Sequence, residues 1–210
     1  GCPICDAGGH YRGKLTAGEI QAQIDWLIAS RYPDGDPAIP KLKIQFARMG
    51  DPALNDAVLD VLERLPALLP RAGLMPSIST VAPVGCSGFL ERLLDIKQRL
   101  YGDGQFQMQF SVHATSEEAR RKLVPVRTWT LAEMAAYGER FWKPGDRKIT
   151  LNFAPAKGLL PDPAALDGIF DPSRFLIKLT PINPTVVAHQ AGLEGAIDPH
   201  DEAACERIAA

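Results

Sequence analysis

The chain has 210 residues, of which 46% are hydrophobic and 23% charged, and it carries a formal net charge of −2. That length buries one substantial core, so a single domain over residues 1–210 is the expected unit. No basic run of the kind that binds nucleic acid, no acidic tail and no apolar stretch near the ~20 residues of a membrane span is present.

The first element opens at Thr16-Ala17-Gly18-Glu19, a capping box in which the threonine caps a helix and the glutamate reaches back to it. The helix continues with Ile20, Ile24, Leu27 and Ile28 on one face, and the loop RYPDGDPAIP ends it. KLKIQFA then reads as a strand, and MGDPALNDAVLDVLERLPALL as a turn entering a helix. The second strand is MPSISTVA, followed by the helix GFLERLLDIKQRL. QFQMQFSVHA alternates strictly and predicts a third strand, with SEEARRKLV and TLAEMAAYGERF as the helices behind it. RKITLNFAPA is the fourth strand, DPAALDGIF a helix, RFLIKLTPI the fifth strand, and a last helix starts near Asp198.

Strands that alternate with helices predict a parallel α/β sheet, and polar residues at successive strand ends predict one site on one rim. Those residues are Gly50 and Asp51, Ser79 and Thr80, Ser111 and His113, Asn152, and Asn183. Read alone, Asp51 also suits the cap of the helix after its turn. Ser79 and Ser111 also suit ordinary strand-end hydroxyls, His113 a satisfied buried imidazole, and Asn183 a turn before Pro184. The methionines Met49, Met75, Met108 and Met134 read as core filler.

The chemistry lies in the opening stretch, GCPICDAGGHYRGK. A C-x-x-C pair on a loop serves metal binding or redox work. Cys2 and Cys5 therefore admit three readings: an iron–sulfur ligand pair, half of a structural zinc site completed by His10 with Cys86 or Cys205, or a thioredoxin-type dithiol. Four cysteines with two so close do not make a disulfide framework, and a reducing cytoplasm is the expected compartment.

The opening resembles the radical SAM superfamily, whose C-x-x-x-C-x-x-C loop holds a 4Fe-4S cluster. Cys2 and Cys5 match its second and third cysteines, with the first expected three positions ahead of Gly1. Within that superfamily the chain is similar to the ribosomal-RNA adenine methyltransferase branch, which includes antibiotic-resistance methylases. LTAGEI matches the phrase after the cluster loop, and ARMGDPALN matches a GMGEP-L-N turn, with Asp51 where glutamate is usual. SISTVAP, FSVHATSEEARRKLVPV and TPINPT match the later strand ends in the right order.

The resemblance implies a partial (β/α)6 TIM-like barrel whose first strand precedes the cluster loop. It implies two cofactors, a 4Fe-4S cluster on Cys2 and Cys5 and S-adenosylmethionine on the open iron, cleaved to a radical that abstracts hydrogen. It places Ile4 near the adenine, Gly50 and Asp51 at the amino group, and Ser79, Ser111, Val112, His113 and Asn183 at the rest of the cofactor. A reductant such as flavodoxin or ferredoxin and an RNA substrate for methyl transfer are implied partners, with a non-RNA substrate as the alternative. The stretch DEAACERIAA echoes the segment that carries the family's methyl-bearing cysteine, but Cys205 stands too soon after Asn183 and reads rather as a helical residue. Cys86 likewise reads as structural.

Overall fold

The computed structural model describes residues 2–5, 11–35, 37–47, 50–198, 200, 201, 203, 205 and 206. Five strands pair in parallel and in chain order: β1 (Leu42–Phe46), β2 (Leu74–Thr80), β3 (Gln107–Ser111), β4 (Ile149–Phe153) and β5 (Phe175–Leu179). Helix α1 (Ala17–Arg31) precedes β1; α2 (Ala57–Leu68) and α3 (Ser87–Leu100) follow β1 and β2. Between β3 and β4 lie α4 (Glu117–Leu123) and α5 (Leu131–Phe141), and α6 (Pro163–Asp167) joins β4 to β5. This is the α/β partial barrel expected from the sequence.

The helix starts follow from local chemistry. Thr16 and Thr130 each accept from the backbone N–H three residues on, while Glu19 and Glu133 return the bond to the cap N–H. Two features differ from the sequence reading. A short helix, α7 (Val186–Gln190), follows β5, started by the Thr185 hydroxyl accepting from Ala188 N–H; five residues show no periodicity to read. On α1 the buried stripe is Ile20, Ile24 and Ile28, while Leu27 is 59% exposed because it falls outside that i, i+4, i+8 row.

Alternation sorts the strands into two faces. The convex side presents Phe46, Ile78, Phe110, Leu151 and Phe153 to the helices, where Leu62, Leu65, Leu90, Leu93 and Tyr137 meet them in one core. Each such side chain stabilises the fold by about 1.5–3 kcal/mol. The concave side is polar. In-register pairs Gln45↔Ser77, Ser79↔Gln109, Ser111↔Asn152 and Asn152↔Lys178 carry one polar face from β1 to β5. A closed barrel of this type fills its interior with branched apolar layers; here the face is suited to lining a ligand space.

Helix α1 packs on α2, and between α1 and β1 runs a groove of about 970 Å³. Ile20, Ile24, Ile44 and Phe46 line it, together with the Gly50–Asn55 turn. Toward the other edge of the sheet α5 comes very close to β4 and β5. A Cβ on Gly138 would lie 2.3 Å from Phe175 Cζ and 3.0 Å from Ile149 Cδ1. Gly138→Ala is expected to lower stability by about 1–3 kcal/mol, since the overlap outweighs the ~1 kcal/mol that alanine gains in a helix. Urea unfolding measures it, and adding Phe175→Leu is expected to recover part of the loss; a neutral Gly138→Ala would mean that the ring simply turns aside.

Candidate functional site

The Cys2–Cys5 segment is a tight turn closed by Cys5 N–H donating to Cys2 C=O at 3.0 Å. Both thiols are free and half-buried. Cys2 and Ile4 pack, with Val81, Leu159 and Leu193, against a small buried cluster of Ala114, Leu123 and Val124. Val81 follows β2 and Ala114 follows β3, so the turn sits on the C-terminal rim of the sheet. Burial pushes the Cys2 thiol above its usual range, with Cys5 and then Asp51 adding to the rise. That is the opposite of the depressed pKa a thioredoxin-type dithiol needs, and a thiol so placed becomes a thiolate when a metal supplies the positive charge.

Asp51 sits in the same neighbourhood. Its Oδ1 accepts from Ala53 N–H at 2.9 Å, capping the 3-10 turn Pro52–Leu54, and from the Thr80 hydroxyl at 2.7 Å. Its Oδ2 accepts from Val81 N–H at 2.8 Å. The Thr80 hydroxyl in turn accepts from Ala82 N–H at 2.9 Å. The carboxylate thus fastens the β1 turn to the end of β2. Burial raises its pKa against the lowering effect of these three bonds, and among the described residues no cation pairs with it. Gly50 beside it adopts φ +81°, a region glycine enters freely, and a Cβ there would meet the Tyr11 ring at 3.5 Å.

At the end of β3, His113 takes φ +65° and is 8% exposed. Its N–H donates to Asn152 C=O at 3.2 Å, yet its Nδ1 is buried without a partner. Burial first, and the Arg120 cation second, push the imidazole down to about 4, so it is neutral at pH 7. The Ser79 hydroxyl is likewise buried without a partner. Left-handed backbone on a bulky residue and orphaned polar atoms cost free energy, and such features gather where a ligand completes the bonding.

Ser111 lies half-buried on the concave face opposite Asn152. Val112, the next residue, turns its side chain the other way. Its side chain is fully buried in the main core, its N–H donates to Asn152 C=O and its C=O accepts from Ala114 N–H, so it packs and spaces the strand end. Asn183 is exposed, with its C=O accepting from Thr185 N–H at the start of α7. Among the described residues Asp51, His113 and Ser79 share the rim with the cysteine turn.

Cys86 is buried at the start of α3, its thiol pushed up to about 11 by burial and then by Asp51. Cys205 donates its thiol to Asp198 C=O, and its N–H donates to Asp201 C=O, one helical turn in the expected terminal helix. His10 and Met49 lie outside the described residues. Among the described residues no three His, Cys, Asp or Glu side chains come together to hold a metal, so neither Cys86 nor Cys205 completes a zinc site with Cys2 and Cys5. The sequence reading placed Thr80 on the rim without its role, and it passed over Arg120. Thr80 faces the Asp51 turn rather than the concavity, and Arg120, itself buried, donates to Trp129 C=O at 2.9 Å and to the Thr128 hydroxyl at 2.8 Å. A basic residue at i, i+4 after a serine cap was the only signal for Arg120.

No family model matches the chain. It is 30% identical over 197 residues to the "Probable dual-specificity RNA methyltransferase RlmN" of Frankia alni, covering 88% of this chain and 45% of that protein. It is 29% identical over 196 residues to the "Dual-specificity RNA methyltransferase RlmN" of Phenylobacterium zucineum, covering 87% and 48%. The chain therefore spans about half the length of the curated relatives it matches. In fold it is similar to a radical SAM methyltransferase from Sphaerobacter thermophilus, with a TM-score of 0.64 and 22% identity over 92% of this chain and 53% of the other. It is also similar to Streptococcus suis SuiB, solved bound to S-adenosylmethionine, with a TM-score of 0.59 and 14% identity over 99% and 42%. In sequence the chain is a relative of the dual-specificity RNA methyltransferases, and its fold is that of radical SAM enzymes.

Proposed function

We propose that this chain is the core of a radical SAM enzyme that acts on RNA, with methyl transfer as its reaction. The observation that supports it best is the seating of the Cys2–Cys5 turn on the rim beside Asp51, a buried carboxylate without a cation, and Ser79 and His113, each with a buried polar atom that has no partner. Cys2 and Cys5 supply two thiolates to a 4Fe-4S cluster, and the third comes from outside the described residues. When bound, the cluster supplies the single electron that cleaves S-adenosylmethionine to a 5′-deoxyadenosyl radical.

The chain's own residues do the holding. Asp51, buried and without a cation, pairs with the ammonium of the methionine moiety, a charge-assisted bond that also lowers the cost of its burial. The Ser79 hydroxyl and His113 Nδ1, neutral at pH 7, complete their bonding on polar atoms of the same ligand. Ile4, packed on the rim cluster, offers an apolar surface beside the adenine. Ser111 and Asn183 serve as ribose or carboxylate partners. A flavodoxin- or ferredoxin-like protein delivers the electron, and the RNA reading comes from the relatives named above. Residues 1–210 act as one core domain, and the groove between α1 and β1 has the size and apolar lining to take one further strand.

The test uses the intact protein, reconstituted with iron and sulfide without oxygen, reduced, and assayed for 5′-deoxyadenosine released from S-adenosylmethionine. Release by the parent protein is expected, with Cys2→Ala and Cys5→Ala each losing both the brown colour and the product. A colourless parent with stoichiometric zinc and no product would overturn the reading in favour of a zinc-binding structural domain.

A further inference from the structure

A cation is buried beside the rim with no carboxylate to balance it. Arg120, in the middle of α4, is 4% exposed and is in no ion pair among the described residues. Neutral groups satisfy two of its nitrogens: Nη1 donates to Trp129 C=O at 2.9 Å and Nη2 to the Thr128 hydroxyl at 2.8 Å. Its Nε is buried without a partner. A charge taken out of water on such terms is costly, and an apolar side chain would fill the same space at less cost. What the guanidinium adds is a fixed position for the segment it grips.

That segment lies along the end of β2. Val84 N–H donates to Arg127 C=O and Trp129 N–H to Ala82 C=O, each at 2.8 Å, and Pro83 bridges Thr128 in antiparallel sense. Ala82 is fully buried and held at φ +51°, a backbone region that a residue with a side chain enters only under constraint. Its N–H donates to the Thr80 hydroxyl at 2.9 Å, and that hydroxyl donates to Asp51 Oδ1 at 2.7 Å. Val81 N–H donates to the other oxygen of the same carboxylate. A run of short bonds thus leads from Arg120 through Trp129, Ala82 and Thr80 to Asp51. The same helix also reaches the cysteines: Leu123, and Val124 at its end, belong to the buried cluster on which Cys2 and Ile4 pack, with Ala119 against it.

We propose that Arg120 is a positioning residue that sets the Asp51 carboxylate relative to the Cys2–Cys5 turn, by holding the Thr128–Trp129 segment against Ala82. This rests on the reading of that rim as the S-adenosylmethionine site. Arg120 acts through the segment and not by touching the ligand. Two acceptors on adjacent residues suit the planar fork of arginine, which a lysine ammonium does not reproduce.

The intact protein, reconstituted with iron and sulfide without oxygen, is titrated with S-adenosylmethionine as the parent, Arg120→Lys, Thr128→Val, Thr128→Ser and, as a control on the exposed side of α4, Arg121→Gln. Thr128→Val is the milder change, since it keeps the side-chain volume and removes one acceptor. All variants are expected to keep the parent's iron. Arg120→Lys and Thr128→Val are expected to bind S-adenosylmethionine about 2- to 30-fold more weakly, the range for residues that act through a packed network, while Thr128→Ser and Arg121→Gln stay with the parent. In the Asp51→Asn background Thr128→Val is expected to weaken binding no further, because its effect runs through the carboxylate. Unchanged affinity in both single variants, or a full additive loss in the Asp51→Asn background, would overturn the proposal while the reading of the rim stands. If the parent binds no S-adenosylmethionine, that reading falls, and hydrogen exchange at the Val81 and Ala82 amides decides the positioning. Faster exchange in Thr128→Val than in the parent supports the link from α4 to Asp51, and equal exchange overturns it.

Discussion

Lys97→Ala is expected to lower the stability of the fold by about 3–5 kcal/mol, the range for stripping one partner from a buried ion pair. The lysine sits in the last turn of α3, and its ammonium meets the carboxylate of Asp146 in the loop between α5 and β4, with side chains only 3% and 7% exposed. Phe141 C=O accepts from Nζ at 3.3 Å, and the Phe141 ring lies 5.3 Å beneath it. Asp146 also accepts from Lys143 N–H at 2.8 Å, which holds the loop in shape. Without Lys97 a carboxylate is left buried with one neutral donor; without Asp146 an ammonium is left with a carbonyl and a ring. Both single variants are therefore expected to fall in the same range. The double variant Lys97→Met/Asp146→Leu is expected to lie closer to the parent than either, because an apolar pair of similar volume leaves no charge uncompensated. Urea midpoints with unchanged m-values would show this. Single variants losing less than about 1 kcal/mol would mean that water reaches the pair and that the loop is not held by it.

That pair also marks where the sequence stops being legible. The strands and helices were readable because their apolar spacing is strong: β3 alternates strictly and α3 repeats Phe89, Leu90, Leu93 and Ile96 inward. Capping chemistry at Thr16 and Thr130 marked helix starts without any tertiary knowledge. Lys97, by contrast, looks in sequence like any solvated lysine between Ile96 and Gln98, and its partner lies 49 residues on. The bond from Thr80 to Asp51 was not legible because only strand register shows which of two neighbours, Ser79 or Thr80, faces the concavity and which meets Asp51. The motif residues near the rim were legible through resemblance, but their unmet bonds, at Ser79 Oγ and His113 Nδ1, are properties of packing alone.

Asp51→Asn and Asp51→Ala separate the two roles that the sequence left open for this residue, cap and cofactor ligand. Alanine removes the acceptor for Ala53 N–H, the Thr80 hydroxyl and Val81 N–H, and is expected to cost about 2–4 kcal/mol, allowing for water at some of the freed donors. Asparagine keeps the Oδ1 bonds but turns an amide N–H₂ toward Val81 N–H, and is expected to cost about 1–3 kcal/mol. Both variants are expected to keep the iron of the parent protein, because Asp51 is no cluster ligand in this reading. Both are expected to lose cleavage of S-adenosylmethionine, with asparagine weakening its binding by about 10- to 100-fold, the effect of losing a hydrogen bond to a charged group. The pH dependence has a definite sign. Burial raises the folded pKa of Asp51 above 3.8, so this group's contribution to stability is fully present below 3.8 and is lost as pH rises through the raised folded value. The advantage of the parent over Asp51→Asn therefore narrows across that window in the absence of ligand. An ammonium bound at the carboxylate reverses the trend, since it favours the charged form: S-adenosylmethionine is expected to bind the parent more tightly as pH rises through the window and to release a proton as it does, with no such dependence in Asp51→Asn. Equal cleavage by Asp51→Asn and the parent, with the stability loss intact, would leave Asp51 as the cap that joins the β1 turn to β2 and would assign the ammonium to another group on the rim.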